Sequence, residues 1–218
     1  MTPNELLSHH FHHDEFRPGQ EKVIKSLIAG RSALAIFPTG GGKSLCYQLP
    51  ALTFKGITLV VSPLIALMKD QVETLISLGI PAARLDSTLD YNEVRDIYHR
   101  MADNSLKLIY VAPERLSNEG FLKILHQCLI SMRAIDEAHC ISEWGHNFRP
   151  DYLKLADLAT DLKVKRVLTL TATATPQVAE DIRERFAIAK KDHVQTPFRR
   201  KNLRFLVDPC KVEEKKQK

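Results

Sequence analysis

The sequence contains no long apolar run. Nowhere does it reach the roughly 18 consecutive apolar residues that a membrane span requires, and the amino terminus lacks the charged-then-apolar pattern of a secretory leader. A soluble, cytoplasmic protein with no membrane partner is expected. Cysteine is sparse: Cys46, Cys128, Cys140 and Cys210 lie far apart with no C-x-x-C pair. That spacing argues against a zinc module or a disulfide framework and fits a reducing compartment. Internal repeats and low-complexity tracts are absent, and Trp144 is the only tryptophan. Charge of one sign is also weak. The formal +5 comes from 31 Lys+Arg dispersed among 26 Asp+Glu, which permits a nucleic-acid partner without requiring one.

What the chain does have is alternation. Short buried strands are expected at 33–37, 57–62, 82–85, 106–112, 132–136 and 166–170. Between them, helical patterns run over 19–29, from Leu45 onward, and over 64–78, 90–101, 120–129, 152–162 and 175–186. Strand and helix in turn predict an α/β domain, a mostly parallel sheet with helices on both faces. At 218 residues and 44% hydrophobic content, one such domain fills most of the chain. After Phe198 the stretch Arg199-Arg-Lys-Asn-Leu-Arg204 is basic, Phe205-Leu-Val207 is a possible last strand, and 209–218 is a charged linker or tail. The histidines His9, His10, His12 and His13 follow a helical Asn4-Glu-Leu-Leu-Ser8 and read as a helix end rather than a metal site.

Chemistry concentrates first in Phe37-Pro-Thr-Gly-Gly-Gly-Lys-Ser44. Three successive glycines, Gly40, Gly41 and Gly42, allow a tight turn whose N–H groups point inward at phosphate oxygens. Lys43 can reach the outer phosphates and Ser44 can offer its hydroxyl to a magnesium ion. The pattern departs from G-x-x-x-x-G-K-[ST] because Phe37 stands at the first glycine. A second constellation, Asp136-Glu-Ala-His139, closes the strand at 132–136, at the sheet edge where α/β domains bind ligands. Asp136 is suited to hold the magnesium through water, and Glu137 to orient and deprotonate an attacking water. About 90 residues separate the two motifs, a spacing compatible with neighbouring strands.

Taken together, Phe16-Arg-Pro-Gly-Gln20, Pro38-Thr-Gly-Gly-Gly-Lys-Ser-Leu-Cys-Tyr-Gln-Leu-Pro50 and Asp136-Glu-Ala-His-Cys-Ile-Ser-Glu-Trp-Gly-His-Asn-Phe-Arg-Pro150 closely resemble the RecQ family of superfamily 2 DNA helicases. The similarity runs from about residue 4 to residue 208. It implies a three-layer RecA-like P-loop NTPase domain over 1–208, with ATP and Mg2+ as ligands. Thr39, Gly40, Gly41, Gly42, Lys43 and Ser44 would form the phosphate cradle. Arg17 and Gln20 match the family's adenine-binding motif, an amide such as Gln20 being able both to donate to and accept from the base edge. His13 stands where the family often places a ring over the adenine; from the residue alone it reads as surface.

The resemblance also implies DNA contacts. Val61-Ser-Pro-Leu-Ile-Ala-Leu-Met-Lys-Asp-Gln71 and Tyr110-Val-Ala-Pro-Glu-Arg-Leu116 look like backbone-gripping motifs, although strand followed by helix cap explains them equally well. Leu170-Thr-Ala-Thr-Ala-Thr175 looks like the motif whose hydroxyls, on Thr171 and Thr173, bond to the 136–139 loop; Thr175-Pro176 also reads as a helix cap. The loop after His139, with Trp144, Phe148 and Arg149, matches the family's aromatic loop that couples DNA binding to ATP hydrolysis. Without the resemblance, Trp144 is equally readable as core.

A 3′-to-5′ DNA helicase motor lobe acting on single-stranded DNA and duplex junctions in recombination and repair is thus expected, in a bacterial nucleoid or a eukaryotic nucleus. No second strand-helix series and no cysteine set for a zinc-binding module follow Arg199. The expectation is a first lobe that binds ATP and turns it over slowly without a second-lobe arginine. Two alternatives stand beside it, an RNA helicase lobe and a nucleotide-dependent DNA-binding or partner-recruiting module.

Overall fold

The computed structural model describes residues 1–144, 149, 152 and 164–198. Strands β1 (Ala33–Ile36), β2 (Ile57–Val61), β3 (Ala82–Leu85), β4 (Leu108–Val111), β5 (Ile130–Ile135), β6 (Val167–Thr171) and β7 (His193–Gln195) form one sheet in the order β3-β4-β2-β5-β6-β1-β7. Every pairing is parallel. Six of the strands were legible as apolar runs. β7 was not, because a three-residue edge strand carries too short a pattern to register.

Strands β1 to β6 bury both faces, as a parallel sheet flanked by helices must, while the edge strand β7 buries only Val194. On one face Leu34, Ile36, Leu59, Val61, Ile109 and Ile135 pack against α5 (Tyr91–Ala102), α6 (Glu119–Gln127) and α7 (Pro176–Arg185). On the other, Ala33, Ala35, Val60, Tyr110, Met132 and Leu168 meet α2 (Gln20–Ile28), α3 (Leu45–Ala51) and α4 (Ile65–Ser77). The amino-terminal helix α1 (Pro3–Phe11) lies outside α2 and α3, joined to them through Leu6, Leu7, Ile24, Leu45 and Leu49. This is the expected three-layer α/β domain.

Two local expectations are corrected. β1 and β5 are not neighbours, because β6 lies between them. Gly19 is not helical but caps α2 from outside at φ 85°, a left-handed conformation that glycine reaches without a Cβ penalty. The histidine cluster is the expected helix end: His9 and His10 lie in the last turn of α1, and His12 is its left-handed C-cap. The expected helix at 152–162, the possible strand at 205–207, the basic stretch from Arg199, the tail at 209–218 and the candidate Phe148 lie outside the described residues.

Candidate nucleotide and coupling site

The sheet register brings the two motifs together. Ile36 is paired with Thr171, and Ile135 with Thr169, so β1, β6 and β5 end at the same edge. The glycine turn leaves β1, the acidic loop leaves β5, and Thr171 stands at the end of the strand between them. Main-chain bonds fix both exits: Phe37 N–H donates to Thr171 O at 3.1 Å, and Asp136 N–H to Val61 O at 2.9 Å.

Beyond Phe37 the chain turns sharply. Gly40 and Gly42 adopt φ of 79° and 75°, and a Cβ on Gly42 would lie 2.4 Å from Gln20 Nε2. Any other residue is strained at that φ and would push the Gln20 amide aside. Gly41 N–H donates to Pro38 O at 2.8 Å, so one of the N–H groups expected to face a phosphate closes the turn instead. Lys43 Nζ donates to Phe37 O at 3.3 Å. Arg17 and Gln20 brace the same turn. Arg17 Nη1 donates to Gly40 O, Gln20 Nε2 donates to Gly42 O at 2.8 Å, and Gln20 Oε1 accepts from Arg17 N–H at 2.8 Å. Both ends of the buried Gln20 amide are therefore engaged within the protein. His13 is exposed, with its N–H directed to Leu7 O at 3.5 Å, and Thr39 is exposed on the turn.

On the other side, Asp136 is buried at 8% exposure. Burial, then the neighbouring Glu137, pushes its pKa up to about 6. Glu137 adopts φ 50°, rare for a residue with a side chain, and its N–H donates to Asp136 Oδ1 at 3.0 Å. Such strain costs on the order of 1–3 kcal/mol and persists only where surrounding structure enforces it. Tyr152, fully buried, helps: its hydroxyl donates to Asp136 O at 3.2 Å. Nearby, the buried Ser62 hydroxyl faces Asp136 and partly opposes the rise in its pKa.

His139 joins this loop to β6. Its Nδ1 lies 2.9 Å from Thr171 Oγ1 and 3.3 Å from Glu137 Oε2. Thr171 Oγ1 gives its proton to Thr173 O at 2.9 Å, so toward the imidazole it accepts, and Nδ1 is the donor. The Cys140 side chain, then Glu137, raises the His139 pKa to about 9. Thr173 takes part through its main chain, its N–H also reaching Thr171 Oγ1 at 3.3 Å.

Trp144 is 74% exposed, which removes the core alternative. With His139, Thr173, Ala174, Thr175, Val178 and Phe198 it borders a largely apolar cavity of about 270 Å³. Arg149 is exposed and tied by its N–H to Cys140 O at 2.9 Å. Sequence reasoning missed Tyr152 at this site and singled out Ser62 only as part of the stretch 61–71. Nothing in their local pattern distinguishes them, since only the fold brings them to Asp136.

Among the described residues no group of three or more His, Cys, Asp or Glu side chains is arranged to hold a metal ion, and no helix is long and apolar enough to cross a membrane. The DEAD/DEAH box helicase family profile matches residues 17–182. An ATP-dependent DNA helicase RecQ of Bacillus subtilis is 48% identical over 204 residues, covering 93% of this chain and 34% of that protein. The RecQ helicase of Pasteurella multocida is 42% identical over 98% of this chain and 34% of its own length. The chain thus spans about a third of these relatives. Among solved structures, the Hef helicase domain of Pyrococcus furiosus superimposes with a TM-score of 0.63 at 22% identity, over 83% of this chain and 38% of that one. A hypothetical ATP-dependent RNA helicase of Sulfolobus tokodaii gives 0.67 at 19% identity, over 88% and 57%. These two likenesses establish the RecA-like fold.

Proposed function

The chain belongs to the DEAD/DEAH box helicase family and is homologous to the RecQ DNA helicases, and from that premise we propose that it is the ATP-binding motor lobe of a 3′-to-5′ DNA helicase. The observation that carries the reading is the meeting of three strand ends: the glycine turn after β1, the acidic pair after β5, and Thr171 on β6 in contact with His139.

The residues present suit ATP with magnesium. A Cβ at Gly42 would be strained at its φ of 75° and would displace the Gln20 amide, and Lys43 stands behind the turn. Asp136 is a buried carboxylate held against Glu137, two adjacent negative groups that a divalent cation would balance. One carboxylate plus the Ser44 hydroxyl, completed by water and substrate oxygens, is the kind of sparse protein set that magnesium accepts. Magnesium would supply neutralisation of phosphate charge. Thr39 to Ser44 hold the phosphates, and Lys43 stabilises the outermost one. Arg17 and Gln20, released from Gly40 and Gly42, are available to the base. Glu137, aimed by its left-handed backbone, orients the attacking water and accepts its proton.

His139 and Thr171 then report the state of this site toward Trp144 and Arg149, where single-stranded DNA bases stack. Because the chain spans about a third of its RecQ relatives, it is proposed to act with a second lobe that supplies an arginine to the phosphoryl group. Without such an arginine, turnover falls by about 10³ to 10⁵ in related phosphoryl-transfer enzymes, so the 218-residue chain is expected to bind ATP and hydrolyse it slowly.

The test is fluorescent ATP binding and single-stranded DNA binding by the chain, with Lys43→Ala and Trp144→Ala and a single-stranded RNA competitor. Lys43→Ala should abolish ATP binding, and Trp144→Ala should spare it while weakening DNA binding. Preference for RNA, or ATP binding that survives Lys43→Ala, overturns the reading.

A further inference from the structure

A buried polar cluster lies in the apolar layer between the sheet and the α2–α4 face, away from the His139–Thr171 contact. Gln48 on α3 donates through Nε2 to Gln71 Oε1 on α4 at 2.7 Å and to Tyr110 Oη on β4 at 3.2 Å. Tyr47, also on α3, meets Tyr110 edge-on with ring centroids 6.1 Å apart. Gln48, Tyr47 and Tyr110 are all buried, at 7%, 4% and 1% exposure. The two tyrosines belong to the apolar cluster that includes Cys46, Ala51, Met68, Val72 and Met132, and the Ser44 side chain is a further partner of Tyr47.

Two facts give this cluster direction. At one end, the N–H groups of Tyr47 and Gln48 both donate to Ser44 O, at 3.1 and 3.0 Å, so α3 is bonded directly to the end of the glycine turn. At the other, Gln71 sits on α4, which begins just after Ser62-Pro63, and Tyr110 lies on the strand that runs into the 3₁₀ turn Pro113–Ser117. Tyr110 is too buried to touch a nucleic-acid backbone, so its place in a DNA-gripping stretch needs an internal explanation. A buried amide bonded to two elements is stable only while both partners stay in register, since losing either leaves a polar group unsatisfied in an apolar layer.

We propose that Gln48, Gln71 and Tyr110, with Tyr47 packed beside them, are positioning residues that carry displacement of the Lys43–Ser44 turn to α4 and to the Pro113–Ser117 turn. This is a second route from the nucleotide to the DNA-gripping face, independent of His139 and Thr171, and it rests on the reading of the glycine turn as the nucleotide site.

Hydrogen exchange of the 218-residue chain, with and without magnesium and a non-hydrolysable ATP analogue, tests it. The wild type should change its exchange at 65–70 and 113–117 on adding the analogue, by about fivefold or more, the lower end of ordinary coupling between sites. Gln71→Met and Tyr110→Phe should bind the analogue with unchanged affinity and lose that change. Gln71→Glu, which keeps an acceptor for Gln48 Nε2, should retain it, and that rescue separates a positioning role from loss of packing. A wild-type chain that binds the analogue without a response at 65–70, or a response that persists in Gln71→Met and Tyr110→Phe, overturns the relay alone. A wild-type chain that fails to bind the analogue overturns the nucleotide reading and the relay with it.

Discussion

His139 Nδ1 and Thr171 Oγ1 stand 2.9 Å apart, joining a loop that leaves β5 to the end of β6. The two residues are 32 positions apart in sequence, and their bond ties the acidic loop to the strand that leads into the segment bordering the Trp144 cavity. Thr171→Val removes the acceptor at nearly constant shape. It should leave ATP affinity unchanged and alter the nucleotide-dependent shift in single-stranded DNA affinity by about 0.5–2 kcal/mol, the range expected for a residue on a coupling path. Titrating labelled DNA with and without the ATP analogue measures it, and an unchanged shift refutes the role.

Gly42 offers a sharper test of the turn. Its φ of 75° and the 2.4 Å approach of Gln20 Nε2 to a would-be Cβ mean that Gly42→Ala must move Gln20 or the turn itself. Destabilisation above about 1 kcal/mol and loss of ATP binding are expected, read by thermal melting and by fluorescent-nucleotide titration. Gln20→Ala in the same background should recover part of the stability, because it removes the colliding amide.

Asp192 anchors the far end of the domain. Its side chain accepts from Ser26 Oγ at 2.7 Å and from Arg31 Nε at 3.0 and 3.1 Å. Burial alone would raise its pKa, but Ser26 and Arg31 outweigh it and hold the carboxyl below its ordinary value. A depressed carboxyl stabilises the fold above its unfolded pKa, and the contribution fades as pH falls through the folded one. Asp192→Asn should therefore cost about 1–3 kcal/mol at neutral pH, with Arg31 contributing little of it because its side chain is 42% exposed and screened. Unfolding curves of the two proteins should converge as pH is lowered below about 4.

Arg133 is fully buried on β5, and none of its three guanidinium nitrogens has a hydrogen-bond partner among the described residues. Burial pulls its pKa down to about 9, and its nearest compensation is the Phe186 ring at 5.9 Å. Replacing an unpaired buried charge with an apolar residue of similar length removes the cost of keeping that charge from water. Arg133→Met should raise the melting temperature or leave it unchanged; a clear fall would mean that the guanidinium has a partner outside the described residues.

The sequence by itself determined the class of fold and the two motifs. Apolar runs short enough to be strands, alternating with 3.6-periodic segments, dictate a parallel sheet between helices, and Gly40 to Ser44 and Asp136-Glu137 announce their chemistry through residue type alone. Those signals are local, carried by neighbours in the chain. The tertiary structure alone decided that β6 separates β1 from β5, that both ends of Gln20 brace the glycine turn, and that Trp144 is exposed. It also decided that Tyr152, Ser62, Gln71 and Tyr110 stand behind the site. Their contacts depend on burial and on partners up to 62 residues away, and no periodicity records which distant polar group will satisfy a buried one.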